Sequence, residues 1–161
     1  MCALNKSNNA VKERYYKAHE SWFKESYPNA YKDGFYLDPK IPKVDSSNGL
    51  TTFICNYLSW NGHRATRINV LGRLVDGVEK QPSGAKIGVK KWIPSSTRKG
   101  TADISATIKG RSVMIEIKIG ADRPRPEQLL EQQREKKAGG IYEFIKTPEQ
   151  FFELYDFILS L

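Results

Sequence analysis

The stretch "GTADISATIKGRSVMIEIKIG", residues 100–120, decides the fold. Side chains alternate between faces along a strand, so Ile104, Ala106 and Ile108 share one face and Asp103, Ser105 and Thr107 the other. In the second half, Val113, Ile115, Ile117 and Ile119 share a face, and Met114, Glu116 and Lys118 lie opposite. Between the halves, Lys109-Gly110 suits a two-residue hairpin turn, because glycine tolerates positive φ. That turn sets Ile104 against Ile115 and Ala106 against Val113, so the apolar faces match. The same register sets Asp103 directly opposite Glu116, with Lys118 two residues further along.

Like charges directly opposite in a sheet are destabilising. A proton held by one carboxyl would relieve them, as would neutralisation by Lys118 and nearby arginines. A divalent cation bound between them would do the same. Hard cations such as Mg²⁺ take carboxylate oxygens and keep open positions for water and phosphate. Two carboxylates and a lysine are the minimum for metal-assisted attack on a phosphodiester.

Upstream, residues 76–100 read as irregular, broken by Gly77, Pro82, Gly84, Gly88, Pro94 and Gly100. From Lys80 to Lys99 there are basic residues and no acids. Lys90, Lys91, Arg98 and Lys99 are therefore candidate phosphate contacts. "ATRINVLGRLV", residues 65–75, reads as one strand. Residues 9–27 read as an amphipathic helix through Val11, Tyr15, Ala18 and Trp22, ended by Pro28. A Pro-, Gly- and Asp-rich loop follows. The next helix is capped by Ser46, Ser47 or Asn48, carries the stripe Leu50, Phe53, Ile54, Tyr57 and Leu58, and stops at Asn61-Gly62.

Downstream, Arg123 and Arg125 precede a helix that opens at Pro126 and ends at Gly139-Gly140. Both arginines join the candidate nucleic-acid contacts. "IYEFIK", residues 141–146, is a further strand. "TPEQ" announces a last, core-facing helix with Thr147 as N-cap, Pro148 at its first position and Gln150 closing a capping box. The order α-α-β-β-β-α-β-α is an α/β (α+β) pattern with a mixed sheet.

The 161 residues fit one domain, with 1–46 an N-terminal helix and loop and 47–161 the core. The formal charge of +8 suggests an anionic partner, nucleic acid first. Cys2 and Cys55 form no disulfide framework, and Cys55 reads as a buried thiol. No leader pattern and no membrane-length apolar run are present, so an intracellular setting is expected. His19 and His63 have no partners at ligand spacing and read as surface or satisfied polar residues. Trp22 and Trp60 sit at helical core spacing. Trp92, among the lysines, is the tryptophan placed to stack on bases.

Residues 100–120 followed by "PEQLLEQQREKKAGGIYEFIKTPEQF" resemble the PD-(D/E)xK, restriction endonuclease-like superfamily, and within it the VRR-NUC branch. The resemblance covers about residues 65–152 and rests on Asp103, Glu116, Lys118, Gln128 and Gly139-Gly140 in order. It implies a mixed β-sheet flanked by helices. It implies that Asp103, Glu116 and the Ile117 carbonyl hold Mg²⁺, with Mn²⁺ able to substitute. Lys118 would orient or activate the attacking water and stabilise charge on the phosphate, and Gln128 would orient Lys118 or the substrate. Two departures mark this chain. Ala102-Asp103 stands where the family has Pro-Asp, and "NGLTTFICNYLSW" lacks the carboxylate that the helix before the sheet often supplies. Glu13 and Glu20 of the first helix could substitute.

The expectation is a stand-alone, phage-type, metal-dependent deoxyribonuclease acting on branched, flapped or junction DNA. It would work in the cytoplasm of a bacterial or phage-infected cell. A homodimer would place two sites for two strands. The alternative is a non-catalytic nucleic-acid-binding module on the same fold. An adaptor would explain the charge but not Asp103 facing Glu116.

Overall fold

The computed structural model describes residues 2–68, 73–82, 84, 86–93 and 98–161. Among them are five helices and six strands. In chain order these are α1 (Cys2–Ser26), α2 (Pro28–Lys32), α3 (Ser47–Trp60), β1 (Arg64–Arg67), β2 (Arg73–Lys80), β3 (Lys86–Ile93), β4 (Ile104–Ile108), β5 (Arg111–Ile117), α4 (Pro126–Lys137), β6 (Ile141–Ile145) and α5 (Pro148–Ser160). The class is mixed α/β, as expected.

The β4–β5 hairpin has the register that its apolar faces require: Ile104 pairs with Ile115 and Ala106 with Val113. Lys109 at φ +47° and Gly110 at φ +78° make the two-residue turn. Positive φ at both central positions gives the turn twist that antiparallel strands need. β1 pairs antiparallel with β4, and β6 runs parallel to β5, so the sheet order is β1-β4-β5-β6. A parallel partner needs a crossover, which α4 supplies.

One face of the sheet is apolar. Ile104, Ala106, Ile108, Val113, Ile115 and Ile117 are buried there with Leu50, Phe53, Ile54 and Leu58 of α3 and Phe151, Tyr155 and Ile158 of α5. Each such aliphatic side chain contributes about 1.5–3 kcal/mol by leaving water. From α1, Tyr15 is fully buried and stacks on Phe53 with ring centres 4.3 Å apart. The opposite face carries Glu116, and α4 lies along β6 there, with Gln132 donating to the Tyr142 carbonyl at 2.8 Å. Ser46 caps α3, its hydroxyl accepting from the Gly49 N–H at 3.1 Å.

Several expectations are corrected. α1 begins at Cys2 rather than at residue 9, and Pro28 opens the short helix α2 inside the expected loop. The single strand expected over 65–75 is two strands in different sheets, and Asn69–Gly72 lie outside the described residues. The region read as irregular holds β2 and β3, an antiparallel ribbon with its own register. Its alternation buries no face, so the hydrophobic period that marks a strand is weak. Thr147 caps α5, but Gln150 accepts from the Lys146 N–H at 2.9 Å, one residue before the position a capping box uses.

The histidines are satisfied side chains. His63 Nε2 lies 3.0 Å from the Tyr155 hydroxyl, and His19 packs among Trp22, Tyr36 and Trp60. Trp60 packs against the core, and Trp22 is half-buried beside it.

Arg14 ties α1 to α5. Its guanidinium forms two hydrogen bonds to Asp156, donates to the Tyr57 hydroxyl at 2.9 Å and lies 4.3 Å from the Phe152 ring centre. Arg14→Ala is expected to cost about 1–2 kcal/mol, because a cation over a ring and a hydroxyl bond go with the charge. Asp156→Asn removes a mainly exposed, solvent-screened partner and should cost about 0.5 kcal/mol. Arg14 holds the Asp156 carboxyl below its ordinary 3.8, so this contribution is complete above that value. It is lost as pH falls through the lowered folded value. Urea unfolding of both variants and wild type at neutral pH and near pH 2 checks the size and the sign.

Candidate active site

β4 begins only at Ile104, one residue after Asp103, while β5 continues to Ile117. The main-chain ladder therefore runs out where the two carboxylates meet. The Ile117 N–H donates instead to the Asp103 carboxylate at 3.0 Å. A strand residue presents its N–H and C=O to the same edge, so the Ile117 carbonyl shares the edge on which Asp103 lies. The next residue, Lys118, turns its N–H to the Ile145 carbonyl of β6.

Glu116 and Lys118 are buried, with 5% and 2% of their surfaces exposed. The Lys118 ammonium lies 3.2 Å from Glu116 Oε1 and 3.2 Å from Asp122 Oδ2. The Gln128 amide donates to the same Glu116 oxygen at 2.5 Å and accepts the Arg125 N–H at 2.9 Å. One side chain therefore closes the start of α4 and fixes the carboxylate beneath it. Burial pushes the Glu116 carboxyl above its ordinary range, the Asp103 charge adds to the rise, and Lys118 opposes it. Tyr142, buried beside them, is raised by burial and then by Glu116 and Asp103, and its hydroxyl donates to the Gly100 carbonyl at 3.0 Å.

All four expected catalytic side chains, Asp103, Glu116, Lys118 and Gln128, therefore meet at one end of the β4–β5 hairpin. Arg98 is an exposed neighbour of α4, 3.6 Å from Glu131. Lys99, Arg123 and Arg125 are exposed in the segments leading into the site. Lys90 and Lys91 lie on the ribbon, on opposite faces, because they are consecutive in β3. Glu13 and Glu20 line a different groove, with Lys12, Tyr16, Lys17 and Asp38, and Glu20 accepts from the Tyr31 hydroxyl.

Sequence reasoning missed Asp122. It is four residues after Lys118 and is the second carboxylate holding that ammonium. The available signal was the spacing in "KIGAD", which a loop gives no reason to single out.

The donors converging near Asp103 are all oxygens: two carboxylates and the edge carbonyl of Ile117. That chemistry fits a hard divalent cation that retains water, which needs only one or two carboxylates from the protein. Among the described residues no three His, Cys, Asp or Glu side chains form a metal-binding group. A cation here would accordingly rely on Asp103, Glu116 and the main-chain oxygen. Burial, and then the Asp103 charge, favour the protonated form of Glu116, and a cation between the two carboxylates would favour the ionised form.

The site thus belongs to a mixed α/β protein with a buried carboxylate–lysine–glutamine network at the end of a hairpin. The chain matches no family model, no curated protein and no solved structure. No described helix is long and apolar enough to cross a membrane.

Gly100 sets the approach of α4 to this network. It has φ +87°, and a Cβ there would lie 2.3 Å from the Glu127 carbonyl oxygen. Gly100→Ala is expected to destabilise the protein by roughly 2 kcal/mol, through strain at positive φ and displacement of the α4 start. Gln128→Ala keeps that backbone and loses the two side-chain bonds, so it should cost about 1–2 kcal/mol. Chemical denaturation of the two variants tests both values.

Proposed function

We propose that the protein is a metal-dependent nuclease that hydrolyses DNA phosphodiester bonds, with the restriction endonuclease-like arrangement that its hairpin motif resembles. The observation that carries this reading is the buried Glu116–Lys118 pair, locked by Gln128 and placed beside Asp103. A structural ion pair would gain nothing from a second carboxylate that raises the first one's proton affinity. A site that accepts a cation and a phosphate would.

Asp103, Glu116 and the Ile117 carbonyl would hold Mg²⁺ or Mn²⁺. When bound, such an ion neutralises charge on the phosphate and makes water a better nucleophile. Gln128 keeps one Glu116 oxygen oriented, so the carboxylate does not rotate between partners. Lys118 is buried and lies 3.2 Å from each of two carboxylates, those of Glu116 and Asp122. Its ammonium can hold the attacking water in line and meet negative charge as it develops on the phosphoryl oxygens. Arg98, Lys99, Arg123 and Arg125 supply screened positive charge for the flanking backbone. Branched, flapped or junction DNA is the substrate class that the motif resemblance points to, and a homodimer would present paired sites. The binding-module reading keeps the same basic residues but gives no use to Asp103 beside Glu116.

The test is cleavage of labelled duplex, single-stranded, flapped and four-way DNA with Mg²⁺, Mn²⁺ or EDTA. Wild type is expected to cut only with metal. Lys118→Ala and Glu116→Ala should each reduce the rate by about 100-fold or more. Without DNA, Mg²⁺ at 100 times its Kd should stabilise wild type by about 2.7 kcal/mol, and Glu116→Gln should abolish that gain. Binding without cutting under every metal would sink the nuclease reading and leave the binding module.

A further inference from the structure

The β2–β3 ribbon is unusual in this fold. Its register pairs Arg73 with Ile93 and Lys80 with Lys86, eight residues on each side. At about 3.3 Å per residue it is roughly 25 Å long. Its principal contacts are between its own strands. Leu74, Val78 and Trp92 are 62%, 66% and 56% exposed, and Ile87 and Ile93 are exposed too. An isolated two-stranded hairpin is marginal in water, and one presenting five large apolar side chains to solvent is a surface built for a partner.

The ribbon also has a defined root. Before it, the Ile68 N–H donates to the Asp103 carbonyl at 2.7 Å, five residues ahead of Arg73. After it, Arg98 meets Glu131 of α4, five residues past Ile93. The described residues on either side of the ribbon, Ile68 and Arg98, therefore sit on the domain at Asp103 and at the middle of α4.

Two register rows describe the ribbon's chemistry. Leu74 faces Trp92, and Asp76 faces Lys90, all on one face. Val75 faces Lys91, and Glu79 faces Ile87, on the other. The ribbon strands carry five basic residues, Arg73, Lys80, Lys86, Lys90 and Lys91, against Asp76 and Glu79. The partner is thus anionic and also offers flat apolar surface. Two strands with their side chains match the width of the DNA major groove, about 12 Å, which admits a β-ribbon.

We propose that the β2–β3 ribbon is a duplex-DNA arm. It lies in the groove next to the cleaved bond, with Lys86, Lys90 and Lys91 on phosphates and the Leu74–Trp92 pair against base or sugar surface. This deepens the nuclease reading and rests on it for the position of the cut, but the arm itself is tested by binding. It makes the substrate class one with a duplex segment beside the scissile phosphate. The opposed Leu74–Trp92 pair lies at the root end of the ribbon, where a branch or a duplex end would sit.

The experiment compares wild type, Trp92→Ala, and a triple variant Lys86→Ala, Lys90→Ala and Lys91→Ala. Binding is measured on a duplex and on a single strand of equal length, in EDTA, across a salt series. All four residues are exposed, so the variants should fold, and unchanged thermal midpoints will check that. The triple variant should bind duplex at least about tenfold more weakly, with a salt slope smaller by about three. Trp92→Ala should weaken duplex binding several-fold at an unchanged slope. Wild-type hydrolysis of bis(p-nitrophenyl) phosphate with Mg²⁺ is measured alongside, as a readout of the catalytic site that needs no duplex binding. Unchanged duplex affinity and slope would overturn the arm. So would an equal loss on single strands, or a wild-type dimer that Trp92→Ala turns to monomer with DNA binding intact. If duplex binding depends on the ribbon while no DNA and no small phosphodiester is cut, the arm stands and the nuclease reading falls.

Discussion

The Lys118 ammonium is the group around which the site is arranged. It is removed from water, and an ammonium so placed costs several kcal/mol unless anions and hydrogen-bond acceptors replace its hydration. Glu116 and Asp122 supply them from opposite sides of the chain turn. Satisfying Lys118 therefore fixes the loop after β5, which also carries Arg123 and Arg125. Glu116 is held in turn by Gln128, and Gln128 by the Arg125 N–H at the head of α4. The strand end, the loop and the helix start are one connected polar network. No buried side-chain polar atom among the described residues lacks a hydrogen-bond partner. Buried networks of this kind are costly when incomplete and rigid when complete.

The hairpin makes that network reachable. A type I′ geometry at Lys109-Gly110 locks the register, and the register brings Asp103 to Glu116. Because β4 starts only at Ile104, the Ile117 N–H lies past the end of the β4–β5 ladder and takes the Asp103 carboxylate. The same late start leaves an edge of β5 uncovered at the site, where main-chain and carboxylate oxygens gather. A longer β4 would have covered it.

Much of this was readable beforehand, and the misses have physical reasons. The β4–β5 register followed from alternation and one turn dipeptide, both local signals. The buried stripe of α3 and the cap at Thr147 were equally local, while the structure chose Ser46 among the three cap candidates of α3. The ribbon was not legible, because Gly77 faces Val89 and Gly88 faces Val78 in a pairing that buries neither face. Glycine in a strand reads as a break when no hydrophobic period surrounds it. α2 is a single turn begun by Pro28, too short to carry a periodicity. Asp122 was overlooked because its role depends on a lysine being buried, and burial is not a property of one residue's neighbours in sequence.

By itself, then, the amino-acid order determined the hairpin, its register, the helix boundaries near the site and the opposition of Asp103 to Glu116. Each of these follows from interactions among residues close in the chain: strand alternation, positive φ at a turn, a cap on a first helical turn. The tertiary structure decided which anions surround Lys118, that Gln128 bridges α4 to Glu116, and that Gly100 gives α4 room to approach. It also decided that the basic segment is a paired ribbon rooted beside Asp103. Those outcomes depend on contacts between segments distant in sequence, and a buried charge in particular selects its partners from whatever the fold brings within about 3 Å.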